Sequence, residues 1–434
     1  GSVDGMLVAH EKFGSMPLSK LIEPSIVLAE KGFHISDQQA RNYNYHKDNF
    51  VRNNRNPETV ALIKDEPWKE GDLLVQKDLA ETLRRIQKDG RKGFYEGKTA
   101  ELIVAEMKAG NGIITLEDLK NYKSAWRTPI TGNYRGYKVY SMAPSSSGGI
   151  ALIQLLKMSE HFPLSEFGSK TAKTIHVMTE MERRVYADRA EHLGDSDFWD
   201  VPVKELLDDE YIASRVAQID ISQATDSEEV RPMALDNIIE KEETTHYSIV
   251  DKDGNAVSLT TTINDGYGSK VFVEGAGFLL NNEMDDFSMK PGVPNMYGLL
   301  GGAANSIQPG KRMLSAMTPT IIEKDGKLFM VVGTPGGSTI ITSVYQTILN
   351  VIDHDMTMTD AVAEKRIHHQ WKPEWISVEK GAVDSLVQKE LEAMGHQIKE
   401  RGTIGRVEAI LVRPDGSYEG AADPRGDDWA MGVE

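Results

Sequence analysis

The spacing of apolar residues changes period once along this chain, near residue 240, and that switch limits the fold more than any other feature. Before it, apolar side chains recur every three or four positions, as on one face of a helix. After it, short runs alternate or stay continuously apolar between turn residues, as in strands. The chain therefore reads as helix-rich before that point and strand-rich after it. No internal repeat or low-complexity linker divides it into separable domains.

In the first part, Ser19 to Lys31 reads as two short helical pieces, with Pro24 opening the second and Gly32 at the stop. Leu79, Leu83 and Ile86 mark an amphipathic surface helix over Asp78 to Lys88, ended by Gly90. Leu102, Ile103 and Met107 mark another over Thr99 to Lys108, before Gly110. Thr115 and Asp118 form a capping box with Asp as the acid, opening a helix through Leu119 and Tyr122. The longest helix is expected over Thr171 to His192, with Ile175, Met178, Met181 and Val185 as its core stripe. Its Arg183, Arg184, Asp188 and Arg189 read as surface or interdomain ion pairs.

A charged stretch, Asn237 to Glu243 (NIIEKEE), precedes the switch. Then TTHYSIV, DKDGN and AVSLTTTI read as two strands and a turn, Asp253-Gly254 supplying the positive φ that a tight hairpin prefers. Further strands are expected at Gly277 to Leu280, Thr318 to Glu323, Leu328 to Gly333 and Ala409 to Val412, with Asp325-Gly326 as a second hairpin turn. Helices are expected at Ser338 to Asp353 and Met358 to Lys365.

Composition narrows the function classes. Among 434 residues there are 49 Lys+Arg against 66 Asp+Glu, a net charge of −17, which disfavours nucleic acid and anionic membrane surfaces as partners. The best apolar run, Ile150 to Leu156, is short and holds Gln154, far from the ~18 residues of a membrane span. Zero cysteines exclude disulfides, Cys-based zinc or iron-sulfur centres and a Cys nucleophile, and leave the redox compartment open. There is no starting Met and no charged-plus-apolar leader, so any signal peptide has been removed or lies upstream.

Thr244 opens a strand directly after an acidic, solvent-suited segment. On residue type alone this is a β-branched residue at a strand start. It is also the position of a threonine nucleophile, if the chain is first cut between Glu243 and Thr244 so that the freed α-amine can serve as general base. Downstream, GTPGGS (Gly333 to Ser338) follows the apolar run LFMVV. It is either a simple strand-to-helix turn or a place where backbone N–H groups converge on an oxyanion. It has neither the Lys-Ser/Thr of a phosphate-binding loop nor a dinucleotide fingerprint. NNEMDDF clusters Glu283, Asp285 and Asp286, which suits an ammonium ligand or a solvated acidic loop and lacks EF-hand spacing. His368 and His369 point to opposite faces of a strand, and no third ligand is set by spacing, so both read as structural. His246 should share the strand face of Thr244 and could help shape the site.

The blocks TTHYSIVDKDGNAVSLT, LLNNEMDDFSMKPGVPNMYG, LSAMTPTII and GTPGGS, in this order, resemble the γ-glutamyltransferase (γ-glutamyltranspeptidase, glutathione hydrolase) family of N-terminal nucleophile hydrolases. The likeness extends over nearly the whole chain, through YRGYKVYSMAPSSSGGI, RIHHQW and ADPR. It implies an α+β fold, a four-layer αββα sandwich built from a large-subunit part, residues 1–243, and a small-subunit part, residues 244–434, in one intertwined domain. It implies Thr244 as the nucleophile exposed by self-cleavage and Thr262 as its orienting partner. Asn264, Glu283 and Asp286 would bind the substrate α-amino group, Ser315 the α-carboxylate, and Gly336 and Gly337 would form the oxyanion hole. Pro291 to Gly302, with Tyr297, would be a lid.

Two departures from the family pattern follow. Ala316 stands where a second carboxylate-binding serine is expected, and GSVDGM resembles a point well inside the large subunit, so that an upstream segment with a carboxylate-clamping arginine is missing. The implied activity is hydrolysis of the γ-glutamyl amide of glutathione, or transfer of the acyl group to amino acids or peptides, without metal or organic cofactor, in a periplasmic or secreted enzyme. Two other readings are a glutaryl- or cephalosporin-type acylase, which needs no ammonium partner and against which Glu283 and Asp286 argue, and an unprocessed, noncatalytic γ-glutamyl-binding fragment, favoured by Ala316 and the missing segment.

Overall fold

The computed structural model describes residues 1–230, 244–290 and 293–433; Asn237 to Glu243 and the first two positions of the expected lid, Pro291 and Gly292, lie outside them. The chain forms two compact units, one of Gly1–Trp126 with Tyr267–Asn282, the other of Arg127–Gly266 with Glu283–Glu434.

The first unit is mainly helical. Its helices include Leu18–Lys31, Asp37–Asn53, Lys77–Asp89, Gly97–Ala109 and Leu116–Asn121. Pro24 does not split the first of these into two pieces: a single helix runs to Gly32, whose φ of 85° and N–H bonded to the Leu28 carbonyl end it. The Thr115 capping box forms with Asp118. Residues 277–280 are not a strand, for Leu279 makes only an isolated bridge to Phe272. Gly275 and Gly277 there have φ of 73° and 76°, and a Cβ on Gly277 would lie 2.3 Å from the Leu79 amide nitrogen, so close approach and not strand pairing shapes the segment.

The second unit is layered around a six-stranded, wholly antiparallel sheet. In order its strands are Tyr418–Ala421, Glu408–Val412, Lys327–Gly333, Thr320–Lys324, Tyr137–Ser141 and Ile130–Tyr134. The last two precede residue 243 and the others follow it, so chain from both sides of the Glu243–Thr244 bond shares one sheet. The two-residue turn Asp325-Gly326 has both φ positive, at 53° and 74°, and joins neighbouring strands. Met330, Val331 and Val332 are consecutive and all buried, because the sheet is covered on both faces. Helices Gly148–Ser159, Ala172–His192 and Ile340–Ile352 contribute to the core with the sheet residues Val139, Ile322 and Met330. The hairpin Thr244–Val250 with Ala256–Thr262 forms its own two-stranded sheet. It is tied to the six-stranded one by Ser258 Oγ donating to Val332 O and Ser248 Oγ donating to Glu408 O.

Helix Ala172–His192 is buried nearly all round, which corrects the expectation of surface ion pairs. Arg183 and Arg184 both pair with Glu180, and Arg215 pairs with Asp188 at 2.8 Å. Buried charges are costly unless paired and hydrogen-bonded, and Glu180 on the same helix partners both Arg183 and Arg184. Leu152, wholly buried on helix Gly148–Ser159, tests the core. Leu152→Ala is expected to lower unfolding free energy by about 2–5 kcal/mol in a denaturant titration, since the close-packed neighbours relax only in part.

Candidate active site

The head of the hairpin sets the site. Alternation along Thr244–Val250 turns Thr244 and His246 inward and Thr245 and Tyr247 outward. Register pairs Thr244 with Thr262, and the Thr244 Oγ1 hydroxyl donates to Thr262 Oγ1 at 3.2 Å. Thr262 Oγ1 also accepts from the Asn264 amide at 2.8 Å, so one hydroxyl ties the strand start to the loop that leaves the partner strand. Asn264 is buried at φ 75°, a left-handed conformation that Asn tolerates better than most residues. His246 shares the inward face; its ring nitrogens bond Thr260 Oγ1 at 2.8 Å and Ser248 Oγ at 3.1 Å. Burial pushes its pKa down to about 3, so it is neutral. Its ring lies over Gly333, where a Cβ would come within 2.1 Å of it, so this histidine joins the hairpin to the strand that ends in the GTPGGS loop.

In that loop Gly336 has φ 140° and Gly337 φ 50°, both in the region that favours glycine. A short 3₁₀ turn, Gly337–Thr339, leads into helix Ile340–Ile352, and the Thr339 amide and hydroxyl both donate to the Gly336 carbonyl. The ring of Tyr297 lies against Gly337, where a Cβ would come 2.8 Å from its Cδ1. Behind the loop, the Tyr186 hydroxyl donates to Ser338 O at 2.5 Å.

The acidic residues lie on the 3₁₀ turn Glu283–Asp286. Asn295, which the sequence reading passed over, organises the chain beside it: its Oδ1 accepts from the Tyr297 and Leu299 amides at 3.0 and 3.1 Å. Asp285 accepts from the Met296 amide at 2.9 Å, and Asn264 Nδ2 lies 3.8 Å from Met296 Sδ. An Asn followed by Gly298, at φ 69°, is the sequence signal that marks such a turn. Burial pushes Glu283 up to about 7, and burial with the neighbouring charge of Glu283 pushes Asp286 up to about 8. Among the described residues Asp286 makes no ion pair. Such carboxylates gain much from an incoming cation.

Ser315 is held by the loop that opens helix Gly148–Ser159: its amide donates to Ser145 O, and its carbonyl accepts from both the amide and the hydroxyl of Ser147. Ala316 is buried in the core cluster. Thr244, Thr262, Asn264, Glu283, Asp286, Tyr297, Ser315, Gly336 and Gly337 all belong to the second unit. His368 bonds Thr342 and Gln370, and His369 bonds Glu374 O, as expected of structural histidines. One trio among the described residues has metal-compatible spacing, His176, Glu180 and His396. Its histidines bond one another at 2.7 Å and Glu180 is engaged by Arg183 and Arg184, so it reads as a hydrogen-bond network.

The sequence model of the family described as gamma-glutamyltranspeptidase matches residues 1–433. The glutathione hydrolase proenzyme of Escherichia coli (strain K12) is 46% identical over 434 residues, which is 100% of this chain and 74% of that protein. The glutathione hydrolase proenzyme of Pseudomonas aeruginosa is 45% identical, over 98% of this chain and 75% of that one. Among solved structures, the cephalosporin acylase from Bacillus halodurans superposes with a TM-score of 0.84 over 98% of this chain and 76% of that chain, at 24% identity, which establishes the shared αββα architecture. On a whole-length family match and near-half identity to these relatives, this chain belongs to the γ-glutamyltranspeptidase family.

Proposed function

We propose that this protein is a self-processing γ-glutamyl amidohydrolase and transferase with Thr244 as its nucleophile. The observation that carries the reading is the hydroxyl pair on the hairpin Thr244–Val250 with Ala256–Thr262, Thr244 to Thr262 at 3.2 Å. Cleavage of the Glu243–Thr244 bond divides the chain into a large-subunit part, residues 1–243, and a small-subunit part, residues 244–434, and frees the Thr244 amine. That amine takes the hydroxyl proton as Thr244 Oγ1 attacks the γ-glutamyl carbonyl. The Gly336 and Gly337 amides stabilise the oxyanion, the amine leaving group departs with its proton, and a γ-glutamyl ester remains. Water then releases glutamate, or the amine of an amino acid or peptide takes the acyl group.

Asn264, Glu283 and Asp286 hold the donor α-ammonium, Ser315 its α-carboxylate, and Tyr297 closes the pocket and excludes water. Ala316 supplies no hydroxyl there, and one hydrogen bond to a charged group contributes about 1.5–3 kcal/mol, so donor affinity falls without being lost. Glutathione is the donor that the relatives' names suggest. No helix is long and apolar enough to cross a membrane among the described residues. Periplasmic or secreted placement is the location we propose.

The carboxylates raised to about 7 and 8 separate this reading from a glutaryl-type acylase. L-Glutamate and glutarate, which differ only in the α-ammonium, are compared as competitive inhibitors. Glutamate is expected to bind at least about tenfold tighter, and tighter still as pH rises from 6 to 8 and the pocket ionises. Equal affinity for glutarate, with no gain on raising pH, would sink the γ-glutamyl reading in favour of an acylase.

A further inference from the structure

Helix Ala172–His192 carries a guanidinium that the mechanism above does not use. Arg189 is 4% exposed, and among the described residues its side chain's one hydrogen bond is from Nε to Ser147 Oγ, at 2.9 Å. It makes no ion pair among those residues. A guanidinium has five N–H donors, and burying one so poorly satisfied is unfavourable unless something else in the site answers its charge.

Two features answer it. Ser147, which accepts from Arg189, donates its own hydroxyl to the Ser315 carbonyl at 2.7 Å, and its amide donates to the same oxygen at 2.8 Å. A relay of Arg189, Ser147 and Ser315 therefore runs from the helix to the loop read as the α-carboxylate subsite. The second is Asp286. The charged groups that act on it are Glu283 and Asp285 from its own turn and Arg189 from the helix; the first two oppose its ionisation and Arg189 alone favours it. Reciprocally, Asp286 and Tyr186 favour the charged form of Arg189 against its burial.

We propose that Arg189 is a positioning residue for the donor head group, fixing the Ser315 loop through Ser147 and balancing the Asp286 carboxylate, so that one pocket takes a zwitterionic α-amino acid. The inference rests on the reading of Asp286 and Ser315 given above. It explains why a basic side chain is buried beside a pocket that must attract an ammonium. Without a fixed cation, crowded carboxylates hold a proton and lose the charge that binds the substrate.

The test is competitive inhibition by L-glutamate across pH 6 to 9, on Arg189→Met, Arg189→Lys, Ser147→Ala and Asp286→Asn. Arg189→Met is expected to weaken glutamate about tenfold or more at pH 7 and to move the acid-side loss of binding up by about one pH unit. Arg189→Lys keeps the charge and should hold that midpoint within about 0.3 unit of the parent. Ser147→Ala breaks the relay and keeps the charge, so it should weaken glutamate about three- to tenfold at every pH without moving the midpoint. A folded Arg189→Met with unchanged midpoint and affinity overturns the proposal. If that variant does not fold, Ser147→Ala with parental affinity overturns it. Asp286→Asn separates the two levels of inference. If it leaves glutamate affinity unchanged, the reading of the acidic pocket fails; if it weakens glutamate while Arg189→Met does not, only the role of Arg189 fails.

Discussion

Thr244→Ala leaves the 434-residue chain in one piece and turns over γ-glutamyl-p-nitroanilide at background, a loss of about 10⁴-fold or more, as expected when a nucleophile is removed from a unit that acts together. The parent, in intact mass spectrometry under denaturing conditions, resolves into residues 1–243 and 244–434. On the proposed mechanism both effects share one cause: the Thr244 hydroxyl opens the Glu243–Thr244 bond and later attacks the donor. Thr244→Ser keeps an oxygen at the same place and should still cleave, more slowly, since serine lacks the methyl that holds a threonine rotamer in a strand. A Thr244→Ala protein that is cut at the same bond would move the nucleophile elsewhere. A parent that stays whole through long incubation would instead support the noncatalytic, unprocessed reading.

Gly337→Ala should cost about 10²- to 10³-fold in kcat, the effect of displacing one oxyanion-hole donor. Two physical penalties coincide at this position. The φ of 50° disfavours any L side chain, by roughly 1–2 kcal/mol. The new methyl would also meet the Tyr297 ring at 2.8 Å, so either the loop or the tyrosine must shift. Gly326 is the matched control: its φ is 74° and nothing lies within 4 Å of a Cβ there, so Gly326→Ala carries the backbone strain without the collision. It should lose stability and keep its turnover. Gly337→Ala with a kcat close to that of the parent would remove this loop from the chemistry.

The residues that were legible in the sequence share a property: their signal is local. The hairpin at Thr244 was readable because alternation and an Asp-Gly turn both act within a few residues, and Gly254 has the expected φ of 82°. The same holds for the Asp325-Gly326 hairpin and for the Thr115 cap. Strands Ile130–Tyr134 and Tyr137–Ser141 were passed over because their turn is Arg135-Gly136, with φ of 46° and 84°, where Asn or Asp is the usual first residue. Residues 277–280 looked strand-like from their apolar run, yet their glycines serve close contact.

The sequence by itself determined the hairpin at Thr244, the glycines of the GTPGGS loop and, through four ordered motifs, the family. Only the tertiary structure decided that charged residues on Ala172–His192 are interior, since helical period reports which positions share a face and not what covers the other faces. Burial also decided the charge states, pushing His246 down to about 3 and Asp286 up to about 8 where the isolated residue types titrate near ordinary values. The same is true of Arg189, whose partners Ser147 and Asp286 lie 42 residues before it and 97 after, because only packing brings groups so far apart in sequence into one electrostatic environment.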